Sequence, residues 1–499
     1  MKNARVRING RVEEKDNLFV KLGENILRLG MSVRNISLGY SETNATTLPG
    51  YLPQTNFFGG ETYNGSKAPG FNFLIGNQDR DFAAKAARRG WITTDQTLNA
   101  PYVMTHTENF TFRSTIEPIK GLKINLNANR NYSKNINEFY IYNETESTPD
   151  QPVFDAKNKT LTGNFSMTFM SMKSAFFSIG NTGNYSSKYF EEFLKTRQSE
   201  SLRLAKKRWG ETYEDHPKTI EVDGKEVIVK DYYEGYGPTS QEVLIPAFLK
   251  AYGGGGSKYN KLFPGIDKMM PNWRVTFDGL SKIPLVKRYF KSINMNHSYT
   301  STYNIGSYNN NLNYVDNGYG FTDEFDLVDN YLLRYEANSV SINEQFNPLI
   351  NIDMMWKNNF TTTFEIKRAR NLTLSLANTQ LTEVASSEFI FGLGYRFDNL
   401  GLIIGSGSGQ KKFNSNLNLR GDLSIRKNNT IIRKIVDEVD QLTSGQKVVS
   451  IKMSADYVLS SRFNLRLYYD RIVNEPYVSL SYPTTTTEFG VSVRFTLAQ

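Results

Sequence analysis

The chain has 499 residues, 13% of them aromatic, and a formal net charge of +9. Its mean hydropathy is −0.48 and it has no run of 18 or more apolar residues, which excludes a transmembrane helix. Lysine and arginine are scattered along the sequence, so we expect no nucleic-acid binding. Many aromatic residues combined with low hydropathy favour strands that have one apolar and one polar face.

The N-terminal segment Met1–Ile8 has neither the apolar region nor the cleavage site of a signal peptide. We therefore expect the sequence to begin inside a longer protein, the alternative being a cytoplasmic location. Cysteine is absent, which fits an oxidising cell envelope, a reducing compartment or chance.

The first region that breaks the strand pattern is residues 48–100. It contains two Pro-Gly turns, Leu48–Pro53 and Ala68–Phe71, and the basic run Lys85–Arg89. We predict an ordered insertion here, partly loop and partly short helix.

The second such region, residues 188–270, has helical character. Ser240 is predicted to cap a helix over Glu242–Leu249. Gly253–Ser257 fits either an engineered linker or a glycine loop that closes this helix. We expect the region to form a plug, cap or lid. A second helix is indicated by the spacing of Phe190, Phe193, Leu194 and Arg197.

Most of the remaining sequence alternates between apolar and polar residues with a period of two, which predicts β-strands. Val449–Leu459, Ser461–Asn474 and Glu488–Leu497 are the clearest examples, each with apolar residues at odd numbers. Upstream strands are indicated by Leu122, Ile124, Leu126 and Ala128, by Leu372, Leu374 and Leu376, and by Phe389, Phe391, Leu393, Tyr395 and Phe397.

The length of these segments distinguishes between two architectures. They run for about 10–14 residues, whereas strands of soluble sandwiches are usually about 5–6 residues long and tilted membrane strands about 9–11. The connections are asymmetric, with a tight turn at Leu459–Arg462 and a longer loop over Asn474–Thr487. We predict an all-β fold, an antiparallel transmembrane β-barrel of roughly sixteen strands that belongs to a still larger barrel and carries helical and loop insertions.

Each face of the predicted strands has an expected environment. The charged residues on one face are expected to point into a water-filled lumen: Lys452, Asp456, Arg466 and Arg494. The opposite residues are expected to face lipid or packed protein: Phe463, Leu465, Val491 and Phe495. A shift of one residue in register would exchange the two sets.

A search for catalytic and metal-binding motifs finds little. The three histidines, His106, His216 and His297, are far apart and lack partners at ligand spacing. Gly405–Gly409 is not a nucleophile elbow, and the glycine run before Ser257 is not a P-loop. We predict a protein that is not an enzyme and has no cofactor. One acidic stretch could bind calcium in a loop, although its spacing is not that of an EF-hand: Asp316, Asp323, Glu324, Asp326 and Asp329.

One motif at the C-terminus suggests a mechanism of membrane assembly. Its positions follow the pattern polar-x-Gly-x-x-hydrophobic-x-aromatic of a β-signal, the terminal strand that a barrel-assembly machine recognises: Glu488, Gly490, Val493 and Phe495. Such a strand can pair edge-on with a strand of the insertase. Gly490 is expected to let a neighbouring backbone approach closely, and Phe495 to provide an apolar anchor.

Several segments resemble the SprA (Sov) family, the giant outer-membrane translocons of the Bacteroidetes type IX secretion system. The matching segments run from near the first residue to the last: Ser32–Leu38, Tyr40–Asn44, Leu48–Gly50, Pro271–Leu280, Phe346–Ile350, Ser454–Ser460, Phe463–Leu467 and Val493–Gln499. Members of this family are several times longer, so the resemblance implies that residues 1–499 are a C-terminal portion of the translocon barrel.

The resemblance implies a function and a set of partners. It implies a bacterial outer-membrane conduit that exports folded cargo proteins with C-terminal sorting domains from the periplasm to the cell surface. It also implies a small barrel partner, a periplasmic plug protein, the barrel assembly machinery, surrounding outer-membrane lipid and a link to gliding motility. Two rivals are a TonB-dependent nutrient receptor, which would need a plug domain, and a secreted β-rich adhesin, which would need shorter strands.

Overall fold

The protein is described from a computed structural model, which covers residues 32–54, 58–148, 152–176, 185–222, 225–253, 259, 261–404, 411–460, 463–478 and 481–495. In chain order the strands are β1 (Val33–Thr47), β2 (Gly60–Tyr63), β3 (Ser66–Pro69), β4 (Tyr102–Ile119), β5 (Leu122–Tyr142), β6 (Phe154–Thr168), β7 (Pro217–Val222), β8 (Lys225–Tyr233), β9 (Asn272–Phe277), β10 (Phe290–Asn310), β11 (Tyr335–Ala337), β12 (Ser339–Trp356), β13 (Phe360–Ser375), β14 (Gln380–Ile404), β15 (Lys411–Lys434), β16 (Val439–Ser460), β17 (Phe463–Pro476) and β18 (Thr484–Phe495).

The helices are short except for two. They are α1 (Phe71–Leu74), α2 (Phe82–Arg88), α3 (Met172–Ala175), α4 (Lys188–Trp209), α5 (Gln241–Tyr252) and α6 (Pro284–Lys287), with 3-10 turns at Gly210–Asp215, Ile266–Lys268 and Gly279–Lys282. None of the helices in the described ranges combines the length and the apolarity that crossing a membrane requires.

A single antiparallel sheet of 14 strands dominates the described part of the chain, which confirms the predicted all-β antiparallel class with helical and loop insertions. Twelve of its strands are hydrogen-bonded in the order β1-β4-β5-β6-β10-β12-β13-β14-β15-β16-β17-β18, and β9 and β11 pair beside β10. Two further hairpins, β2-β3 and β7-β8, stand apart from this sheet.

Many strands are longer than the sequence predicts. The longest, β14, has 25 residues, against the expected 10–14, whereas β17 with 14 residues and β18 with 12 lie within that range. Where the expectation is wrong, the alternation is interrupted before the backbone pairing ends: β15 continues through the polar stretch Lys427–Thr430, still paired with both neighbours. The loop expected over Asn474–Thr487 is likewise too long, since Asn474 pairs with Thr484 and four consecutive β-branched threonines extend β18. Leu497 lies outside the described residues.

The register divides the sheet into two faces. Directly opposite residues in an antiparallel sheet share a face, so one can follow a row across the strands. The row that contains Phe389 continues through Ile366 on β13, Ile425 on β15, Val449 on β16 and Val473 on β17. We call this side the apolar face and the opposite side the polar face.

The two ends of the sheet differ in their connections. At one end, β4 joins β5 through residues 120–121 and β12 joins β13 through residues 357–359. At the other end, three long connections, residues 48–101, 143–153 and 311–338, lie beside three shorter ones, residues 376–379, 435–438 and 477–483. We call these the short-turn end and the long-loop end. The described C-terminus, Phe495, lies at the short-turn end, opposite Phe463.

The insertion at residues 48–100 contains the β2-β3 hairpin, α1 and α2. Its α2 includes most of the basic run Lys85–Arg89. Ala83 of this helix packs on Tyr102, Met104 and Ile136, which lie on the apolar face at the long-loop end.

The insertion at residues 188–270 contains α4 and α5, as its apolar spacing predicts, and also the β7-β8 hairpin. Phe190, Phe193 and Arg197 of α4 are buried. Ser240 lies at the N-terminus of α5, but its side chain makes no capping hydrogen bond; its backbone oxygen accepts from the N–H group of Leu244 at 2.8 Å. Residues 254–257 of the predicted glycine loop lie outside the described residues.

The core of this insertion packs on the apolar face of the sheet. Phe193 and Phe248 meet at 6.4 Å between ring centroids. Both belong to one buried cluster with sheet residues of the apolar face: Phe165, Met167, Tyr303, Ile305, Val340, Ile342, Leu372, Leu374 and Leu381. Both insertions therefore cover the long-loop end of the apolar face and leave its short-turn half exposed.

Candidate functional site

The four charged residues predicted to face a lumen lie together on the polar face. Asp456 of β16 is directly opposite Arg466 of β17, and Arg466 is opposite Ser492 of β18, two residues before Arg494. Lys452 lies on the same strand and face as Asp456, with Ser454 between them on that face. The Nε atom of Arg466 is 3.6 Å from Oδ1 of Asp456. Period-two spacing therefore predicts which side chains share a face.

The polar face carries further charges that the sequence did not single out. Arg420 Nε binds Asp422 Oδ2 at 2.8 Å on β15, and Arg396 Nε binds Asp398 Oδ1 at 3.0 Å on β14. Asp422 is directly opposite Lys452. The sequence could have identified these residues, because they occupy the even-numbered positions that alternate with the apolar residues of the same strands.

Two open cavities lie along this face. One, of about 530 Å³, is lined by residues that include Arg396, Asp398 and Arg420. The other, of about 450 Å³, is lined by residues that include Lys452 and Arg466. Exposed ion pairs of this kind stabilise a fold by at most about 1 kcal/mol each. The arrangement is a hydrated surface on which positive and negative groups alternate, well suited to contact water and polar solutes.

The apolar face of the same strands is exposed to an unusual degree. Phe489 is 71% exposed and Phe495 is 61% exposed, with Val491 and Val493 between them similarly open. Leu393 and Tyr395 on β14 and Leu467 on β17 continue the exposed surface towards the insertions. Contiguous apolar surface of this extent on a monomer marks contact with lipid or protein.

The predicted β-signal divides between the two faces. Glu488 and Gly490 lie on the polar face, and Val493 and Phe495 on the apolar face. The ring of Phe495 meets that of Phe463 edge-on, with centroids 6.4 Å apart. Phe463 and Phe495 therefore contact each other, so a substitution at either residue also changes the surroundings of the other.

Gly490 makes room for a side chain of the neighbouring strand. It is directly opposite Tyr468, and a Cβ atom at position 490 would overlap Cζ of that ring. The hydroxyl of Tyr468 donates to Oε1 of Glu488 at 2.9 Å. The expectation that Gly490 admits a neighbouring backbone is therefore wrong for the β17 side, where an aromatic ring covers the glycine.

The two outer strands have unpaired edges. In the sheet formed by the described residues, β1 pairs only with β4, and β18 only with β17. Each edge presents a row of backbone N–H and C=O groups that can pair with a further strand.

Buried charges fasten α3, which precedes the 188–270 insertion, to the sheet. Arg370 of β13 donates to Oε2 of Glu344 at 2.8 Å and to the backbone oxygen of Ser174 at 2.7 Å. The hydroxyls of Ser171 and Tyr299 donate to the other oxygen of Glu344, at 2.7 and 2.8 Å. Removing the carboxylate of Glu344 would cost stability, because its buried partners would lose their hydrogen bonds as well.

The connection at residues 311–338 is held to the same insertion. Nζ of Lys218, on the β7-β8 hairpin, donates to the backbone oxygens of Val328 and Asp329 at 3.0 and 2.6 Å. Burial lowers the pKa of Lys218. Arg208 of α4 donates to the backbone oxygen of Thr322 at 2.8 Å. The long-loop end thus carries a packed structure on its apolar face.

The histidines and the acidic stretch make local hydrogen bonds. In the described ranges, no group of three or more histidine or acidic side chains has the geometry to hold a metal ion. Oδ1 of Asp316 accepts two backbone N–H groups of its own loop, as does Oδ1 of Asp326, and Asp323 binds Arg208. His106, His216 and His297 have local hydrogen-bond partners.

The chain was compared with known proteins. No protein-family model and no curated protein matches it. Among solved structures it has a weak likeness to the anion-selective porin from Comamonas acidovorans, with 8% sequence identity over 80% of this chain and 94% of the porin chain. The TM-score of that superposition is 0.11, too low to carry an argument about fold or function.

Proposed function

We propose that this chain forms part of the wall of a large outer-membrane β-barrel that conducts folded proteins from the periplasm to the cell surface. The observation that carries the proposal is the division of one long sheet into an exposed apolar face and a charged polar face. In a membrane barrel the former meets lipid and the latter lines an aqueous lumen.

The size of the apolar band supports a membrane location. The run from Phe389 to Phe397 extends about 27 Å at a rise of about 3.4 Å per residue. A strand tilt of about 40°, usual in membrane barrels, reduces this to roughly 20 Å, close to the apolar band of about 25 Å that such barrels have. Leu417–Ile425 on β15 and Val449–Tyr457 on β16 have the same span and the same register.

The open sheet supports a wide conduit. Twelve strands follow one another without β1 meeting β18. Barrel diameter grows with strand number, and 16–18 strands already leave an aqueous channel. A wall in which more than six further strands join these twelve exceeds the strand number of porins and has room for larger solutes.

The insertions fit outside this conduit. Both pack on the apolar face at the long-loop end, which by the usual asymmetry of loop lengths is the cell-surface end. A plug would need to contact the polar face, so the plug role does not suit the 188–270 insertion. A cap or lid at the cell surface stays a prediction.

The identity of the cargo rests on the sequence resemblance alone. It points to type IX secretion, with cargo proteins that carry C-terminal sorting domains, a small barrel partner, a periplasmic plug protein and a link to gliding motility. In this proposal the charges near Arg466 and Arg420 alternate in sign and provide a wet, weakly adhesive wall for passing proteins.

Depletion of the full-length protein in its native cell tests this function. We expect proteins with C-terminal sorting domains to accumulate in the periplasm and to disappear from the surface within a few generations. Retention of normal secretion together with loss of uptake of a specific nutrient would contradict the translocon and favour a TonB-dependent receptor.

A further inference from the structure

A cavity of about 280 Å³ lies at the long-loop end, between α4, α5, the segment that follows α5 and the start of β11. Its apolar walls include Leu204 of α4 and Ile245 of α5, both of which are buried. Five charged side chains also line it: Arg203, Lys207, Glu242, Lys261 and Arg334. We call this space the basic cavity, because four of its five charges are positive.

Acidic partners neutralise little of the positive charge of the basic cavity. The Nε atom of Arg203 lies 2.8 Å from Oε2 of Glu200, but Glu200 also pairs with Lys250, so one carboxylate serves two cations. Among the described residues, the three other basic side chains of the cavity have no carboxylate within ion-pair distance: Lys207, Lys261 and Arg334. Like charges gathered around one cavity repel one another, and an anion among them relieves that repulsion.

Aromatic rings hold two of these cations at the cavity. Nζ of Lys207 lies 5.3 Å from the ring centroid of Phe321, and the guanidinium carbon of Arg334 lies 5.8 Å from the ring centroid of Tyr335. Within the described part of the chain, neither charged group donates a hydrogen bond. The three donors of the lysine and the five of the arginine are therefore available to a ligand.

The first turn of α5 adds to the positive field. Gln241 and Glu242, the first two residues of this 12-residue helix, line the basic cavity, and the side chain of Ser240 makes no capping hydrogen bond. The N-terminus of a helix carries a partial positive charge and unpaired N–H groups, both of which favour an anion. The carboxylate of Glu242 opposes an anion from the same position, but it is one negative charge against four positive ones.

We propose that the basic cavity binds the phosphate group of a phosphate monoester, carried by a lipid headgroup or by a soluble ester. Arginine binds phosphate through two parallel N–H groups and lysine as a point charge, and the cavity offers two residues of each kind. A phosphate monoester carries about two negative charges at neutral pH, which suits four cations better than the single charge of a carboxylate.

The size and the openness of the cavity agree with such a ligand. Since liquid water takes about 30 Å³ per molecule, the cavity has the volume of roughly nine waters, enough for a phosphate and a small organic group. All of its charged residues except Arg203 are exposed, so a ligand can enter from solvent. The site lies outside the proposed conduit and does not depend on what the conduit carries.

The test titrates the full-length protein, extracted in an uncharged detergent, with glycerol phosphate, short-chain phosphatidic acid and acetate as separate probes. Isothermal titration calorimetry gives a dissociation constant for each. We expect acetate to bind at least about tenfold more weakly than a phosphate monoester. Similar binding of both monoesters would identify soluble esters as sufficient, and binding of phosphatidic acid alone would assign the site to lipid headgroups; either result supports a phosphate site. Binding of neither monoester, or equal binding of acetate, would overturn it.

A charge-removing variant and a matched control locate the site. Lys207→Gln with Arg334→Gln should weaken monoester binding by on the order of tenfold per cation removed. The control, Lys195→Gln with Lys230→Gln, removes two exposed cations of α4 and β8 that do not line the cavity, and should bind like the wild type. Equal loss in both variants would mean that general surface charge, and not the basic cavity, attracts the anion.

Glu242→Gln should change the affinity in the opposite direction. It removes the one carboxylate among the side chains that line the cavity, so monoester binding should become roughly two- to fivefold tighter. A damaged fold does not produce such a gain, which separates loss of the site from loss of structure. Unchanged or weaker binding by Glu242→Gln would contradict the proposal.

Discussion

Arg433 is a buried charged side chain of the sheet that also contacts the helical insertion. It is fully buried at the long-loop end of β15. Its Nη2 binds Oε2 of Glu383 at 2.9 Å, and its Nη1 binds Oδ2 of Asp440 at 2.7 Å and the backbone oxygen of Tyr185 at 2.7 Å. Its guanidinium also lies 5.5 Å from the ring centroid of Phe190 on α4.

Replacement of Arg433 by alanine leaves two carboxylates of low exposure, Glu383 and Asp440, without their cation. Breaking a buried ion pair in this way costs about 3–5 kcal/mol. All three charged groups belong to the sheet and lie beside Phe190 of α4, so the penalty is present while α4 is packed on them and is relieved when it opens. Local opening of α4 therefore becomes roughly 10²- to 5 × 10³-fold more frequent. Trypsin cleavage within α4 should accelerate by the same factor when reclosing is fast.

Two comparisons make the experiment decisive. Arg426→Ala removes an exposed arginine from the same strand and should leave the cleavage rate within about a factor of two. Combining Arg433→Leu with Glu383→Gln and Asp440→Asn removes all three charges and should recover most of the protection. If Arg433→Ala and Arg426→Ala were cleaved at the same rate, the buried charges would not hold the insertion.

Three further predictions concern the C-terminal strand and its edges. Phe495→Ala costs about 2 kcal/mol of apolar burial in lipid, and Phe489→Ala on the same strand and face is its control. A larger loss of the Phe495 variant than of the Phe489 variant from the outer membrane would support the β-signal. Equal amounts of the two variants in the membrane would contradict that role. Gly490→Ala should destabilise the strand by about 1 kcal/mol, because the added methyl group displaces the ring of Tyr468. Adding Tyr468→Ser should restore the free energy of unfolding in denaturant titrations. If it did not, making room for the Tyr468 ring would not be the role of Gly490. Refolded alone in detergent, the 499-residue chain should not give a monodisperse, heat-modifiable species, because unpaired edges cost several kcal/mol per polar group in lipid.

Much of the fold follows from alternation. The period-two pattern from Phe489 to Phe495 predicts the strand, its two faces and the side of each charge, because register in a two-faced sheet is fixed by which residues are apolar. It does not predict where a strand ends, since backbone pairing through Lys427–Thr430 and Thr484–Thr487 needs no apolar residue. Strand length and count were therefore the least predictable features.

The charged attachments of the insertion could not be predicted in the same way. Arg433 and Tyr185 are 248 residues apart in sequence, and only tertiary packing brings them together. A weak signal exists, however, because Glu344 occupies a position at which alternation calls for an apolar residue, between Ile342 and Phe346. A charge that interrupts an apolar face points to a buried partner.

Cysteine accessibility along β16 to β18 tests the central claim most directly, since the chain has no cysteine and every introduced thiol is the only one within it. With the protein in its native outer membrane, a membrane-impermeant thiol reagent should label cysteines at Lys452, Arg466 and Arg494 and spare those at Leu465 and Val491. This period-two pattern is the result expected of a barrel wall between lipid and an aqueous lumen. Labelling of both sets alike, or of the apolar set alone, would contradict it.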